Sequence, residues 1–179
     1  YIRDLFKFCP FSNFLYAMEL TGHELRGYLE HSYAGWMNGM TSAEDSLIRL
    51  RPGAKVTDKY KTFVPPYNYS AAQGIDYVVD LTKPEGQRVT GHSEPFDLER
   101  KYRVAVNSYR AGGAGGMLTQ GAGIPKEDLP KRIVGATSHD QTYYLAEFFR
   151  RHGSVRPVDP KNWRILPEEW AKEGAERSR

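Results

Sequence analysis

Hydrophobic and polar positions alternate in several short stretches of this sequence and recur at three- and four-residue steps in others. Alternation predicts strands, whereas the longer steps predict amphipathic helices. The predicted strands cover residues 14–20, 75–81, 88–90, 102–109 and 163–166. The predicted helices cover residues 2–9, 22–36 and a segment that Ser138 or Asp140 caps and that ends near Gly153. Interleaved helices and frequent hairpins favour an α+β fold with a mixed, mostly antiparallel sheet and helices packed against it.

The strand predicted over residues 102–109 leads into a glycine-rich run. Tyr109 is its last large side chain, and four of residues 112–116 are glycine. A strand that ends in this way presents one bulky ring at its end, followed by backbone that a ligand could approach closely. A flexible surface turn is an equally good interpretation of the spacing. The run is neither a dinucleotide-binding fingerprint nor a phosphate-binding loop, because no Gly-Lys-Ser/Thr follows it.

The remaining segments suggest one main domain with two additions. Between residues 38 and 66 the periodicity weakens and basic residues stand among proline, glycine and aspartate, which predicts a surface excursion containing a small hairpin. Its basic run is more typical of a solvated face than of a phosphate site. From residue 167 to 179 the chain is charged, and we expect a helical or frayed tail. The predicted domain therefore spans residues 1–166.

Composition narrows the functional classes. The chain has 179 residues, of which 40% are hydrophobic, and its net charge is +3 with scattered basic residues. This is a globular composition, and it lacks the basic stripe that a nucleic-acid-binding surface requires. No apolar stretch has the length of a membrane span. The chain begins at Tyr1 without a methionine or a signal peptide, so we expect it to be a fragment of a longer protein.

Two aromatic rings at the ends of predicted elements are the first candidate for chemistry. Phe11 follows a proline at the end of a predicted helix, and Tyr109 ends a predicted strand. Two such rings could stack on a planar ligand such as a nucleobase, at roughly 1–3 kcal/mol per base. Asn13, in the same turn as Phe11, could bond to the edge of the ring. The chain contains twenty Phe and Tyr residues, so a role in the core is the alternative for either ring.

The spacing of histidine, cysteine and serine residues gives little support for a metal site or a covalent nucleophile. The five histidines, at positions 23, 31, 92, 139 and 152, form no pair with metal-ligand spacing. The single cysteine, Cys9, lies beside a proline without a local signature of activation. No Gly-x-Ser-x-Gly nucleophile motif is present. We therefore predict that this chain alone binds no catalytic metal and contains no complete active site.

Five segments, taken in order, resemble the C-terminal domain of the 5′-nucleotidase family, which includes 2′,3′-cyclic-nucleotide phosphodiesterase/3′-nucleotidases and UDP-sugar hydrolases. The Pro-Phe-Ser-Asn turn at residues 10–13 looks like the family's Pro-Phe-Gly-Asn turn. The run from residue 102 to 116 looks like its Tyr-x-Val-Ala-x-Asn-Ser-Phe/Tyr stretch and Gly-Gly-Asp-Gly loop. The other matching segments are residues 18–32, 73–77 and 87–89. The resemblance runs from about residue 2 to 116, and more loosely to the helix near residues 143–151.

The resemblance implies that catalysis and nucleotide binding belong to two different domains. In the family an N-terminal metallophosphatase domain holds two divalent metal ions, and the C-terminal domain binds the nucleotide and rotates to carry it to them. By resemblance, Phe11 and Tyr109 are the stacking rings and Asn13 contacts the edge of the base. Gly74 lies where the backbone approaches the ligand, and the glycine loop contributes Gly113 and Gly115.

The glycine loop also departs from the family pattern. Gly115 stands where the family has an aspartate that binds the ribose hydroxyls, and Ser12 stands where it has a glycine. Loss of one contact to a charged group could weaken binding by roughly 1.5–3 kcal/mol. The identity of the ligand is thus a separate question from the fold.

Three functions follow as hypotheses. The first is a nucleotide-binding domain of a phosphoesterase, inactive alone, whose metals another domain or subunit supplies. The second is a non-catalytic nucleoside- or nucleotide-binding module with a degenerate site. The third is an interaction domain that uses the Arg-rich excursion as its contact surface. Because family members are usually exported or surface-held, the resemblance also implies a periplasmic or extracellular location.

Overall fold

The computed structural model describes residues 4–55, 58–59, 61–91 and 97–178. The sequence-based predictions for Ile2, His92 and Pro95 therefore lie outside the described residues. The helices are α1 Leu5–Phe8, α2 Gly22–Trp36, α3 Ser108–Ala111, α4 Gln141–His152 and α5 Glu168–Arg177. The strands are β1 Phe14–Thr21, β2 Tyr77–Asp80, β3 Val89–Gly91, β4 Lys101–Asn107, β5 Ile133–Asp140 and β6 Trp163–Leu166.

The strands form two three-stranded sheets. One has the order β4-β1-β5 and is antiparallel throughout, and the other has the order β3-β2-β6, in which only the β2–β6 pair is parallel. Three of the four strand pairings are antiparallel, which confirms the predicted α+β fold with a mixed, mostly antiparallel sheet. The strands divide between two sheets, and α2 contacts strands of both.

Helix α2 begins where the sequence predicts it. The Thr21 hydroxyl accepts a hydrogen bond from Glu24 N at 3.2 Å, and the Glu24 carboxylate accepts one from Thr21 N at 2.8 Å. This capping box satisfies two donors that the first turn of a helix otherwise leaves unpaired. Glu24 also pairs with Arg132 at 2.6 Å, so the start of the helix is tied to the segment that leads into β5.

One strand and the position of one ring differ from the prediction. β5 carries little alternation, since most of its residues are exposed, and it forms an edge with two register shifts against β1. Its sequence therefore lacks the signal that a half-buried strand carries. Tyr109 was expected to end β4, but the strand stops at Asn107, whose side chain caps the one-turn helix α3. Asparagine favours such a cap over continuing a strand.

The excursion and the charged tail pack against each other. Met40 and Leu47 of the excursion are buried, as are Ala171 and Gly174 of α5. The Gly174 carbonyl accepts a hydrogen bond from Leu47 N at 3.2 Å. Isolated antiparallel bridges at Met37–Ile48 and Leu50–Thr62 supply the pairing that the sequence suggested as a small hairpin. No helix in the described part of the chain is both long and apolar enough to cross a bilayer.

Two glycines of α2 make a matched pair for testing how this helix positions the glycine-rich segment. A Cβ at Gly27 would lie 2.3 Å from the backbone oxygen of Gly121, whereas one at Gly35 would meet only the Val64 methyl groups, at 3.2 and 3.4 Å. Alanine gains about 1 kcal/mol over glycine inside a helix. We expect Gly27→Ala to destabilise the domain by about 1–3 kcal/mol through overpacking.

The control for that substitution is Gly35→Ala, which we expect to stay within about 1 kcal/mol of the wild type because a valine side chain can move aside. Urea denaturation of both variants gives the two free energies of unfolding. Equal values would show that the close approach of α2 to Gly121 contributes nothing to stability.

Candidate functional site

The turn before β1 places Phe11 and Asn13 at the surface. Phe11 is 64% exposed, and its carbonyl accepts a hydrogen bond from Asn13 N at 2.9 Å. The Asn13 side-chain oxygen accepts a bond from the Ser108 hydroxyl at 3.1 Å, and the Asn13 carbonyl accepts one from Gln141 N at 2.8 Å. These bonds tie the turn to the starts of α3 and α4.

Tyr109 lies one residue beyond this link. The Asn107 side chain accepts a bond from Arg110 N at 2.9 Å and so fixes the turn of helix that carries the ring. The ring is 40% exposed, and its hydroxyl donates to the side-chain oxygen of Asn68 at 3.3 Å. The structure thus brings the predicted pair onto adjoining segments and leaves both rings exposed. The stacking of a base between them stays a prediction.

Arg110 is a site residue that the sequence reasoning missed. It is 6% exposed, and its guanidinium donates to Tyr67 O at 2.8 Å, to the Asn68 side chain at 3.2 Å and to Ala114 O at 3.3 Å. Its central carbon lies 5.4 Å from the centre of the Tyr109 ring, within the range of a cation–π contact. An arginine directly after the predicted stacking ring was the available signal in the sequence.

The glycine loop is shaped by backbone that other residues rarely adopt. Gly113, Gly115 and Gly116 have φ of 86°, 78° and 78°, a region that glycine enters without steric cost. A Cβ at Gly113 would lie 3.0 Å from a Leu129 methyl group. One at Gly115 would lie 2.0 Å from Nη1 of Arg110, so the arginine fills the space beside the position where the resemblance leads one to expect an aspartate.

Arg110 lines one of two cavities in this part of the structure, and Gly115 lines the other. A groove of about 880 Å³ runs along the free edge of β4, and Gly74, Asn107 and Arg110 are among the residues that line it. Gly74 has φ of 90° and an open space around its Cα. A second cavity of about 570 Å³ is lined by Gly115, His31 and Gln120, among others. The lining of neither cavity includes Phe11 or Tyr109, so both rings lie outside these cavities.

Two arginines of the excursion have acidic partners within the protein. Arg49 pairs with Glu85 at 3.0 Å and stacks over the Phe63 ring at 4.2 Å, and Arg51 pairs with Asp58 at 2.7 Å. The charges of these two arginines are therefore partly neutralised.

Metal-binding and nucleophilic groups are sparse in what the structure describes. Among residues 4–55, 58–59, 61–91 and 97–178, no group of three His, Cys, Asp or Glu side chains could hold a metal ion. His23 pairs instead with Glu99 at 3.3 Å, and His139 stacks on Tyr143. Burial raises the pKa of the Cys9 thiol, which disfavours the reactive thiolate.

Comparison with known proteins finds one family model. The 5′-nucleotidase C-terminal domain matches residues 2–120. A 2′,3′-cyclic-nucleotide 2′-phosphodiesterase/3′-nucleotidase from Haemophilus influenzae is 29% identical over 177 residues, covering 88% of this chain and 24% of the relative. A trifunctional nucleotide phosphoesterase protein from Bacillus subtilis is 25% identical, covering 93% of this chain and 11% of the relative. The chain thus spans a quarter or less of the length of these relatives.

Solved structures show the same fold. An NAD nucleotidase from Haemophilus influenzae superposes with a TM-score of 0.58 at 22% identity, covering 92% of this chain and 26% of that one. A 5′-nucleotidase precursor from Thermus thermophilus gives 0.57 at 20% identity, covering 93% and 28%. At these identities the likeness supports the architecture, and the residues of the site must be argued from their own geometry.

Proposed function

This chain belongs to the family of 5′-nucleotidase C-terminal domains, and from that premise we propose that it is the nucleotide-binding domain of a nucleotide-hydrolysing phosphoesterase. The domain positions the nucleotide, and a metallophosphatase domain or subunit performs the hydrolysis. An exported or surface-held location belongs to the same proposal. The relatives named above are phosphoesterases of nucleotides, and this chain corresponds to a minor part of each.

The observation that carries the proposal is the link between the Phe11 turn and the Tyr109 helix. The Asn13–Ser108 hydrogen bond holds the two exposed rings on neighbouring segments without placing either in the core. Exposed aromatic rings at fixed positions are the usual platform for nucleobases, since every base offers a flat face for stacking. In this proposal Phe11 and Tyr109 stack on the base, and Asn13 reads its edge.

The loop residues take supporting roles. Gly74 lets the backbone approach the ligand closely, because it carries no side chain and the space beside it is open. Gly113 and Gly115 supply the positive-φ backbone that shapes the loop next to Arg110. Metal ions in such hydrolases activate a water molecule and neutralise the phosphoester oxygens. The described residues offer no ligand set for two metal ions, so we assign no step of hydrolysis to them. Their contribution is to bind and orient the nucleotide.

A second candidate, a non-catalytic binding module, is favoured by one observation. The loop has Gly115 where the family resemblance implies an aspartate, and the neighbouring space is taken by Arg110. A domain with an altered ligand contact could serve as a sensor or a carrier of nucleosides. An assay of nucleotide hydrolysis by the complete protein distinguishes the two candidates: hydrolysis favours the first, and nucleotide binding without hydrolysis favours the second.

Calorimetric titration of the 179-residue chain with adenosine and AMP tests the stacking pair. We expect Tyr109→Ala and Phe11→Ala each to weaken binding about tenfold or more, because each removes one ring from the base. Tyr143→Ala is the matched control, since this ring is 44% exposed on α4 and lies outside the proposed site.

The titrations would contradict the proposal if several nucleosides and nucleotides failed to bind, or if Tyr109→Ala behaved like Tyr143→Ala. Manganese-dependent hydrolysis of AMP by this chain alone would contradict the assignment of the chemistry to another domain.

A further inference from the structure

Arg110 is a buried cation whose partners are all uncharged. With 6% of its surface exposed, it donates only to two backbone carbonyls and the Asn68 amide oxygen within the described part of the chain. A buried charge is stabilised well when an opposite charge faces it, and poorly by neutral acceptors alone. The guanidinium has five N–H donors, and these three bonds leave capacity for further acceptors.

The position of Arg110 connects this charge with the proposed ligand site. The side chain lines the groove of about 880 Å³ together with Asn107 and Gly74. Pockets of about 300–1,000 Å³ are of the size that holds small organic ligands. The guanidinium also lies against the Tyr109 ring at 5.4 Å. A ligand stacked on that ring would therefore have a cation next to it.

Gly115 makes this arrangement possible. Any side chain there would begin 2.0 Å from Nη1 of Arg110 and 3.0 Å from the Asn68 amide oxygen. Because Gly115 has no side chain, the Arg110 guanidinium can occupy this space. A guanidinium donates hydrogen bonds and accepts none, and its planar fork matches the oxygens of a phosphate group. This corner of the site is thus suited to an anion and not to the hydroxyl groups that a carboxylate would bind.

We propose that Arg110 binds a phosphate group of the ligand, so that the site prefers phosphorylated nucleosides to free nucleosides. The inference rests on the proposed function, because it assumes that a base stacks on Tyr109. It adds Arg110 as the residue responsible for the preference and the negatively charged phosphate as the group that Arg110 selects.

Calorimetry on the 179-residue chain gives the test. The probes are adenosine, adenosine 3′-monophosphate, adenosine 5′-monophosphate and inorganic phosphate. We expect at least one monophosphate to bind about tenfold or more tightly than adenosine, which is the strength of a charge-assisted hydrogen bond. In Arg110→Met we expect that preference to vanish while adenosine still binds, and Arg110→Lys should restore part of it. Binding of inorganic phosphate that Arg110→Met abolishes would support the same assignment without the base.

Controls separate this inference from the proposed function. Arg156→Met removes an exposed arginine and should leave all four affinities unchanged. If adenosine binds and both monophosphates bind no better, the inference is wrong and the proposed function stands. If adenosine and both adenosine monophosphates all fail to bind, the proposed function itself is wrong. Should Arg110→Met fail to fold, Arg110→Lys decides: it should bind the preferred monophosphate more weakly than the wild type does, with its affinity for adenosine unchanged. Equal affinities of Arg110→Lys and the wild type for that monophosphate would then overturn the inference.

Discussion

Replacing Glu30 by alanine is expected to destabilise the domain by about 3–5 kcal/mol. The Glu30 side chain is 5% exposed, and its two carboxylate oxygens accept hydrogen bonds from Val89 N at 2.6 Å and Gly86 N at 3.1 Å. Each bond to a charged group contributes about 1.5–3 kcal/mol, and a buried donor without an acceptor costs a similar amount. The carboxylate thus links α2 to the hairpin that joins β2 to β3.

A nearby arginine adds to this effect. Arg88 is 4% exposed, and burial lowers the pKa of its guanidinium, while Glu85 and Glu30 oppose that shift. Removal of Glu30 therefore also leaves a buried cation with less negative charge around it.

Urea denaturation at neutral pH measures the loss. Glu30→Gln retains one amide oxygen as an acceptor and should fall between Glu30→Ala and the wild type. Glu127→Ala, an exposed control, should change the free energy of unfolding by no more than about 0.5 kcal/mol. A Glu30→Ala variant as stable as Glu127→Ala would show that the helix and the hairpin do not depend on this carboxylate.

Tyr33→Ala is expected to cost about 3–5 kcal/mol, the range for truncating a large aromatic side chain in a core. Tyr33 is fully buried, and its ring lies 5.7 Å from both Tyr69 and Trp163. Its hydroxyl shares a hydrogen bond of 2.9 Å with Tyr77. The residue thereby joins α2 to β2, to β6 and to Tyr69, which lines the groove of about 880 Å³.

Tyr33→Phe separates the ring from the hydroxyl. It retains the packing and loses one buried hydrogen bond, so we expect a loss of about 1–2 kcal/mol at neutral pH. Equal losses for Tyr33→Ala and Tyr33→Phe would show that the ring packing contributes little.

Alkaline pH gives a second measurement on the same pair of proteins. Burial raises the pKa of Tyr33. In the unfolded chain tyrosine loses its proton near pH 10, whereas the folded state retains it. The wild type should therefore lose stability above about pH 10, since the folded state then binds more protons than the unfolded state. Tyr33→Phe lacks this group, so its deficit against the wild type should shrink as the pH rises above that value.

Local signals in the sequence predicted the elements that carry their own chemistry. The capping box of Thr21 and Glu24 predicted the start of α2, and Asp140 was one of two predicted caps for α4; both are confirmed. The sequence also placed Phe11 and Asn13 in a turn. These features depend on hydrogen bonds between residues two to four positions apart, so the order of residues determines them.

Contacts between distant segments could not be predicted in this way. β5 is an exposed edge strand that pairs with β1 more than a hundred positions away, and its residues carry no alternation to reveal it. The bond from Ser108 to Asn13 and the bonds from Arg110 to Tyr67 and Asn68 likewise join parts of the chain that only folding brings together.

For this protein the sequence by itself determined the family, the α+β class and the two rings proposed to hold a base, because these follow from local patterns and from matching segments in order. The tertiary structure alone decided that Arg110 is buried with its guanidinium 5.4 Å from the Tyr109 ring, and that Gly115 leaves room for it. The physical reason is that the energy of a charge depends on what surrounds it, and those surroundings come from residues far apart in the chain.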